Sequence, residues 1–143
     1  MVGDFRFTHA GRVIEVAAGD APVVGDWDQA RLRRVVANLL ANALKYSPAG
    51  GPVRLALWPV DRGGRRWAQL DVTDEGIGIP ARELEQVFDW FARGRNARHA
   101  RIQGTGIGLA GVRQIVEQHG GEITVASEEN RGSTFTVRLP ADA

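Results

Sequence analysis

"NLLANALKYSP", Asn38 to Pro48, sets two asparagines four residues apart among leucines and alanines and follows them with Lys45 and Tyr46. Asparagine is a mediocre helix former because its amide competes for backbone hydrogen bonds. The flanking pattern is nevertheless that of an amphipathic helix. At about 100° per residue, Asn38, Asn42 and Lys45 fall within roughly a 60° arc, with Tyr46 a little further round. Val35, Val36, Leu39, Leu40, Ala43 and Leu44 take the other side and are expected to pack on a sheet. A solvated stripe would more usually carry Glu, Lys or Arg. Amide oxygens ligate Mg²⁺ without adding charge, and a lysine reaches phosphate oxygens. Tyr46 either lies against a nucleotide or simply packs at the helix end.

The rest of the chain bounds the possibilities. Its 143 residues suit one domain with a single core, and 43% hydrophobic with 24% charged residues is ordinary for a soluble globular protein. No apolar run approaches the ~18 residues that span a bilayer, and Met1–Ala10 carries no signal-peptide pattern. A cytoplasmic location is therefore expected. The absence of cysteine excludes a disulfide scaffold, a thiolate zinc site and a cysteine nucleophile. A net charge of +1 argues against nucleic acid as a partner.

Alternation predicts a strand at "RVIEVAA" and a short second one at "PVVG". "GDWDQARLRRVVANLLANALKYS" is the first long helix, with Asp26 and Gln29 resembling a capping box and Pro48, Gly50 and Gly51 ending it. "VRLALW" and "WAQLDVT" form a hairpin around "DRGG". "PARELEQVFDWFAR" is a second helix with Pro80 at its start. "GRNARHARIQGT" lacks apolar periodicity and is a loop. "GLAGVRQIVEQH" is a third helix, closed by Gly120 and Gly121, and "EITVAS" and "STFTVRL" finish the chain as strands around "ENRG". The order β-β-α-β-β-α-α-β-β suits an α+β fold, a two-layer α/β sandwich.

Two glycine motifs compete for attention. "GIGLAG", Gly106 to Gly111, matches the dinucleotide fingerprint G-x-G-x-x-G, and Glu128 and Glu129 sit about where a ribose-binding acid would follow. That motif must leave a buried parallel strand. Here "RGRNARHARIQGT" precedes it, so an oxidoreductase domain is the weaker assignment. What survives is that glycines opening a helix let its free N–H groups approach a phosphate. The second motif is "LDVTDEGIGIP". Asp74 ends an apolar strand, where its carboxylate can accept a hydrogen bond from adenine's exocyclic amine. Gly76 and Gly78 allow a tight turn near a base, although D-x-G is also common turn chemistry.

Together these elements resemble the catalytic and ATP-binding domain of bacterial sensor histidine kinases, within the gyrase/Hsp90/histidine kinase/MutL superfamily. "NLLANALKYS" resembles the N box, "DEGIGIP" the first glycine box, "FDWFARG" the F box and "GTGIGL" the second glycine box. Their order and spacing agree, and the likeness runs from about Val13 to Pro140. The resemblance implies the Bergerat ATP-binding fold, a mixed sheet packed on three helices with ATP under a lid. By it, Asn42 is the principal Mg²⁺ ligand and Asn38 supports the metal or phosphates. Lys45 contacts phosphate, Tyr46 lies near the base or ribose, and Asp74 receives the adenine amine with Gly76 and Gly78 shaping that wall. Gly104, Gly106 and Gly108 form the phosphate-side hinge of the lid, with Thr105 nearby and Leu109 starting the helix. Arg93 follows the F box, where the family has a matching arginine, and is assigned to catalysis with Asn42 and Lys45. Phe88 and Phe91 would anchor the lid's base. Trp27, Trp58 and Trp67 receive no role.

The chain departs from the family at Glu75, often asparagine, at Trp90, commonly proline, and at Ala92, commonly aromatic. Gly111 replaces a branched aliphatic at a cost of roughly 1 kcal/mol in helix propensity. None of these removes a metal or adenine contact.

Hydrolysis needs a base to activate water. In the gyrase-like and MutL-like hydrolases that base is a glutamate one turn before the metal-binding asparagine. Here Asn38 stands in that place and cannot take a proton. The domain should hold ATP and leave its γ-phosphoryl for another nucleophile, histidine autophosphorylation in a two-component kinase. His9, His99 and His119 are followed by Ala, Ala and Gly, not by the acid that follows a phosphoacceptor histidine. The chain is thus expected to be one catalytic domain over residues 1–143, monomeric by itself, from a longer kinase whose other parts include the helical dimerisation and phosphoacceptor hairpin and which can be membrane-anchored. A response regulator receiver domain is the expected downstream partner. The alternatives are an anti-sigma-type serine kinase acting in trans and a non-catalytic nucleotide-binding docking domain. The "KYS" after the N box and the F box before the lid favour the histidine kinase.

Overall fold

The computed structural model of the chain describes residues 5–9, 12–18, 23–47, 50–84, 87–88 and 108–142. Six strands and three helices follow one another as β1 (Phe5–His9), β2 (Arg12–Ala18), α1 (Gln29–Lys45), β3 (Val53–Arg62), β4 (Arg65–Asp74), α2 (Ala81–Leu84), α3 (Gly108–Gln118), β5 (Glu122–Glu128) and β6 (Gly132–Pro140). One sheet takes them all in the order β1-β2-β3-β4-β6-β5. It is mixed, because β2 runs parallel to β3 while every other neighbouring pair is antiparallel. The parallel step is the one bridged by α1, as a crossover between parallel strands requires.

Alternation along β4 divides the sheet's two faces. Ala68, Val72 and Asp74 are buried on one side. On the other, Gln69, Asp71 and Thr73 form a polar ladder with β6. Thr73 and Thr134 hydroxyls lie 3.1 Å apart, Thr136 donates to Asp71 at 2.7 Å, and Arg138 donates to Gln69 at 2.8 Å. The helices cover the apolar side. Val35, Leu39 and Ala43 of α1 and Leu109, Val112, Ile115 and Val116 of α3 meet Ile14, Val53, Val72, Phe135, Val137 and Leu139 in one core. Burial of each such side chain contributes about 1.5–3 kcal/mol.

Three sequence expectations change. The described residues of "PVVG" form no strand: Val23 to Asp28 is irregular, held by the Asp142 N–H on the Val24 carbonyl (2.7 Å) and the Trp27 indole N–H on the Pro140 carbonyl (2.9 Å). The strand paired with β2 is instead β1, upstream of it. The cap of α1 is Asp28, not Asp26. Asp28 is extended (φ −79°, ψ 109°) and its carboxylate accepts the Arg31 N–H at 3.1 Å. The second helix expected from Pro80 is described only at Ala81–Leu84, and Val87 and Phe88 lie in a turn. The rest of that segment, with Trp90, Phe91 and Ala92, lies outside the described residues. Phe88 reaches the core edge-to-face against Phe135, ring centres 6.1 Å apart. Among the described residues no helix is long and apolar enough to cross a membrane.

Candidate functional site

The site is built where α1 and α3 run side by side above the end of β4. The Asp28 N–H, at the start of α1, donates to His119 Nε2 (3.0 Å), and Arg31 donates to Gln118. His119 Nδ1 lies 2.8 Å from the Ile115 carbonyl. The N-terminus of α1 therefore meets the C-terminus of α3, and the helices are antiparallel. The 11 residues of α3 span about 16 Å, a length that carries α1 from Asp28 to about Leu39. Gly108, which opens α3, thus comes about level with Asn38, one turn before Asn42.

Asn42 is only 7% exposed, because α1 is packed by α3 as well as by the sheet. Asn38 is half-buried, and its amide Nδ2 donates to the Arg34 carbonyl one turn back at 2.8 Å. That bond turns Asn38 Oδ1 to a position where it is buried and finds no hydrogen-bond partner among the described residues. Such an atom is costly, roughly 1–3 kcal/mol, unless something else binds it. A neutral, desolvated amide oxygen is a donor suited to a hard cation such as Mg²⁺. The residues present fit that ion. Among the described residues no cluster of three or more His, Asp and Glu offers a different kind of metal site.

Lys45 ends α1 half-buried, and Tyr46 is its C-cap and is buried. The Tyr46 carbonyl accepts the Ile77 N–H at 2.9 Å, tying the helix to the loop after β4. Ser47 closes the last turn by donating to the Ala43 carbonyl at 2.7 Å.

Asp74 is 3% exposed on the helix-facing side of the sheet, and its Oδ1 accepts the Gly76 N–H at 2.9 Å. The glycines of this loop serve close approach between backbones. A Cβ on Gly76 would stand 1.9 Å from the Tyr46 carbonyl oxygen, and one on Gly78 (φ 71°) would stand 2.1 Å from the Glu128 carbonyl oxygen. Gly108 (φ 60°) begins α3 with nothing among the described residues within 4 Å of where a Cβ would lie. Leu109 behind it is buried. Arg93, Gly104, Thr105 and Gly106 lie outside the described residues.

Sequence reasoning missed the partners that hold the loop. Ser127, Asn130 and Ser133 sit at the β5–β6 turn; the bonds of Ser127 to Ile79 and of Asn130 to Ile77 cross about fifty residues of chain, and Ser133 joins through Ser127. Only the Gly132–Ser133 pair after a turn hinted at them. His119, to which the sequence assigns no structural role, is half-buried between the two helices.

Antiparallel helices on one face of a mixed sheet, with paired asparagines above a buried strand-end aspartate, define the architecture of the histidine kinase and gyrase class of ATPase domains. Residues 27–143 match the family described as Histidine kinase-, DNA gyrase B-, and HSP90-like ATPase, and the chain belongs to it. It is 42% identical over 113 residues to the sensor histidine kinase WalK of Bacillus subtilis, covering 79% of this chain and 18% of that protein. Among solved structures it resembles the catalytic domain of histidine kinase ThkA (TM-score 0.70, 27% identity, 89% of this chain and 78% of that one). It also resembles full-length ShkA in complex with AMPPNP (TM-score 0.69, 27% identity, 91% and 26%). The chain thus spans less than a fifth of the WalK kinase it matches.

Proposed function

We propose that this chain binds Mg–ATP and presents it for histidine autophosphorylation as the catalytic part of a longer sensor kinase. The observation that carries this is the buried Asn38 Oδ1, without a partner among the described residues, on the same helix as buried Asn42. In this reading Asn42 and Asn38 hold the metal through their amide oxygens, and Lys45 neutralises phosphate charge. The N–H groups of the first turn of α3, about level with Asn38, receive phosphate oxygens. Asp74 accepts the exocyclic amine of adenine, oriented by its bond from Gly76. Arg93, Gly104, Thr105 and Gly106 are assigned to the phosphate side by their motifs alone. Tyr46 supports the site through its buried packing and its carbonyl bond to Ile77.

When bound, Mg–ATP supplies an activated γ-phosphoryl group for an incoming histidine. The chain's own part is to position that group and keep water from attacking it. Asn38 serves this because an amide takes no proton from water. The partners that follow are the helical phosphoacceptor hairpin of the parent kinase and, downstream, a receiver domain. The name of WalK and the ligand of ShkA support the reading.

Incubation of the chain with radiolabelled ATP, Mg²⁺ and a separately supplied phosphoacceptor hairpin of a related kinase tests it. Acid-labile, base-stable label on the hairpin, lost with Asn42→Ala, is expected. Rapid release of free phosphate without labelling would overturn the kinase reading in favour of a hydrolase.

A further inference from the structure

The loop after Asp74 is suspended between two supports. One is the C-terminus of α1, through the Ile77 N–H on the Tyr46 carbonyl. The other is the β5–β6 turn, where the Asn130 N–H donates to the Ile77 carbonyl at 2.7 Å and the Ser127 hydroxyl accepts the Ile79 N–H at 2.7 Å. Ser127 also donates to the Gly132 carbonyl at 3.0 Å, and its oxygen lies 2.7 Å from Ser133 Oγ. A serine hydroxyl has one proton and two acceptor lone pairs. With its proton on Gly132 and one lone pair on Ile79, the remaining lone pair accepts the Ser133 proton. Every valence of this hydroxyl is spent on the loop and the turn. Ser133, 6% exposed, is the cross-strand partner of Asp74. Beside it, a Cβ on Gly132 would stand 2.1 Å from the Asp74 carbonyl oxygen, so turn and strand end touch backbone to backbone.

We infer that Ser127 is a positioning residue for base recognition: its hydroxyl fixes the loop of residues 75–79, and so the orientation in which Asp74 is offered to a purine amine. The inference rests on the nucleotide reading above and deepens it. A carboxylate held in one orientation favours adenine, whose exocyclic group donates, over guanine, which presents a carbonyl acceptor at the same place. Loss of the Ser127 hydroxyl orphans the Ile79 N–H and the Ser133 proton together. The loop must then shift to satisfy them.

The test is calorimetric titration of ADP and GDP, with Mg²⁺, into wild type, Ser127→Ala and Ser127→Thr. Ser127→Ala is expected to lower ADP affinity about tenfold and to shrink the ADP-to-GDP affinity ratio about fivefold or more, the effect of one unsatisfied buried donor. Ser127→Thr, which keeps the hydroxyl, should restore both. An unchanged ratio in Ser127→Ala, whether ADP affinity holds or falls equally with GDP, overturns the inference while leaving nucleotide binding intact. Wild type that binds neither nucleotide would overturn the functional reading, and the inference with it. Should Ser127→Ala not fold, amide exchange on wild type decides. Slowing of the Ile79 amide by about tenfold or more under saturating ADP is expected, and unchanged exchange refutes the coupling.

Discussion

Replacing Asn38 with leucine should make the protein more stable and worse at binding magnesium nucleotide. Asn38 Oδ1 is buried without a partner among the described residues, a state that costs roughly 1–3 kcal/mol. Leucine removes that cost and gains about 0.5 kcal/mol of helix propensity. Against this stands the lost bond from Nδ2 to the Arg34 carbonyl, worth about 1 kcal/mol. The balance is a gain of about 1 kcal/mol, or roughly 3–5 °C in Tm for a chain of this size. The same change deletes an oxygen ligand. The enhancement of ADP affinity by Mg²⁺ should fall at least about tenfold, the loss that removing even an outer-shell partner brings. Thermal unfolding without nucleotide and ADP titration with and without Mg²⁺ measure the two halves. A variant that melts below wild type and keeps its magnesium enhancement would show that Oδ1 is not strained for a ligand, and the reasoning would fail.

Gly76→Ala forces a Cβ to within 1.9 Å of the Tyr46 carbonyl oxygen. The loop must move, destabilising the chain by about 1–3 kcal/mol in urea unfolding and removing ADP binding. His119→Ala leaves the Asp28 N–H without its acceptor and should lower stability by about 1 kcal/mol in the same assay. At the open face of the sheet, the hydrogen bond from Arg62 lowers the Glu122 pKa below its ordinary 4.5, opposed by slight desolvation and aided by the charges of Arg62 and Arg138. A carboxyl whose pKa is depressed on folding stabilises above its unfolded value and loses that contribution as pH falls through the folded one. The stability difference between wild type and Glu122→Gln should therefore be present at neutral pH and shrink as pH falls below 4.5 and through the depressed folded-state pKa, as paired denaturation curves would show.

The core helices and central hairpin were legible because their signals are local. Val35, Leu39 and Ala43 recur at helical spacing, and Ala68, Val72 and Asp74 alternate with Gln69, Asp71 and Thr73. The order of elements from α1 onward followed from patterns of that kind, and the family from the four ordered motif boxes. What could not be read was set by contacts between distant segments. Asp28 rather than Asp26 caps α1 because Trp27 is pinned to Pro140, a pairing invisible to any short window. The burial of Asn42 depends on α3 lying antiparallel to α1, which the His119 bond to Asp28 fixes. The sequence of the glycine box predicts a tight turn that brings backbone near a base. Its glycines also admit the backbones of Tyr46 and Glu128, and only the assembled fold brings those segments of chain together.

The most direct test of the nucleotide site is calorimetric titration of ADP into wild type and Asp74→Ala, each with and without Mg²⁺. The account predicts magnesium-enhanced binding to wild type and none to Asp74→Ala in a chain that still unfolds cooperatively. Binding that is indifferent to both Asp74 and Mg²⁺ would contradict it.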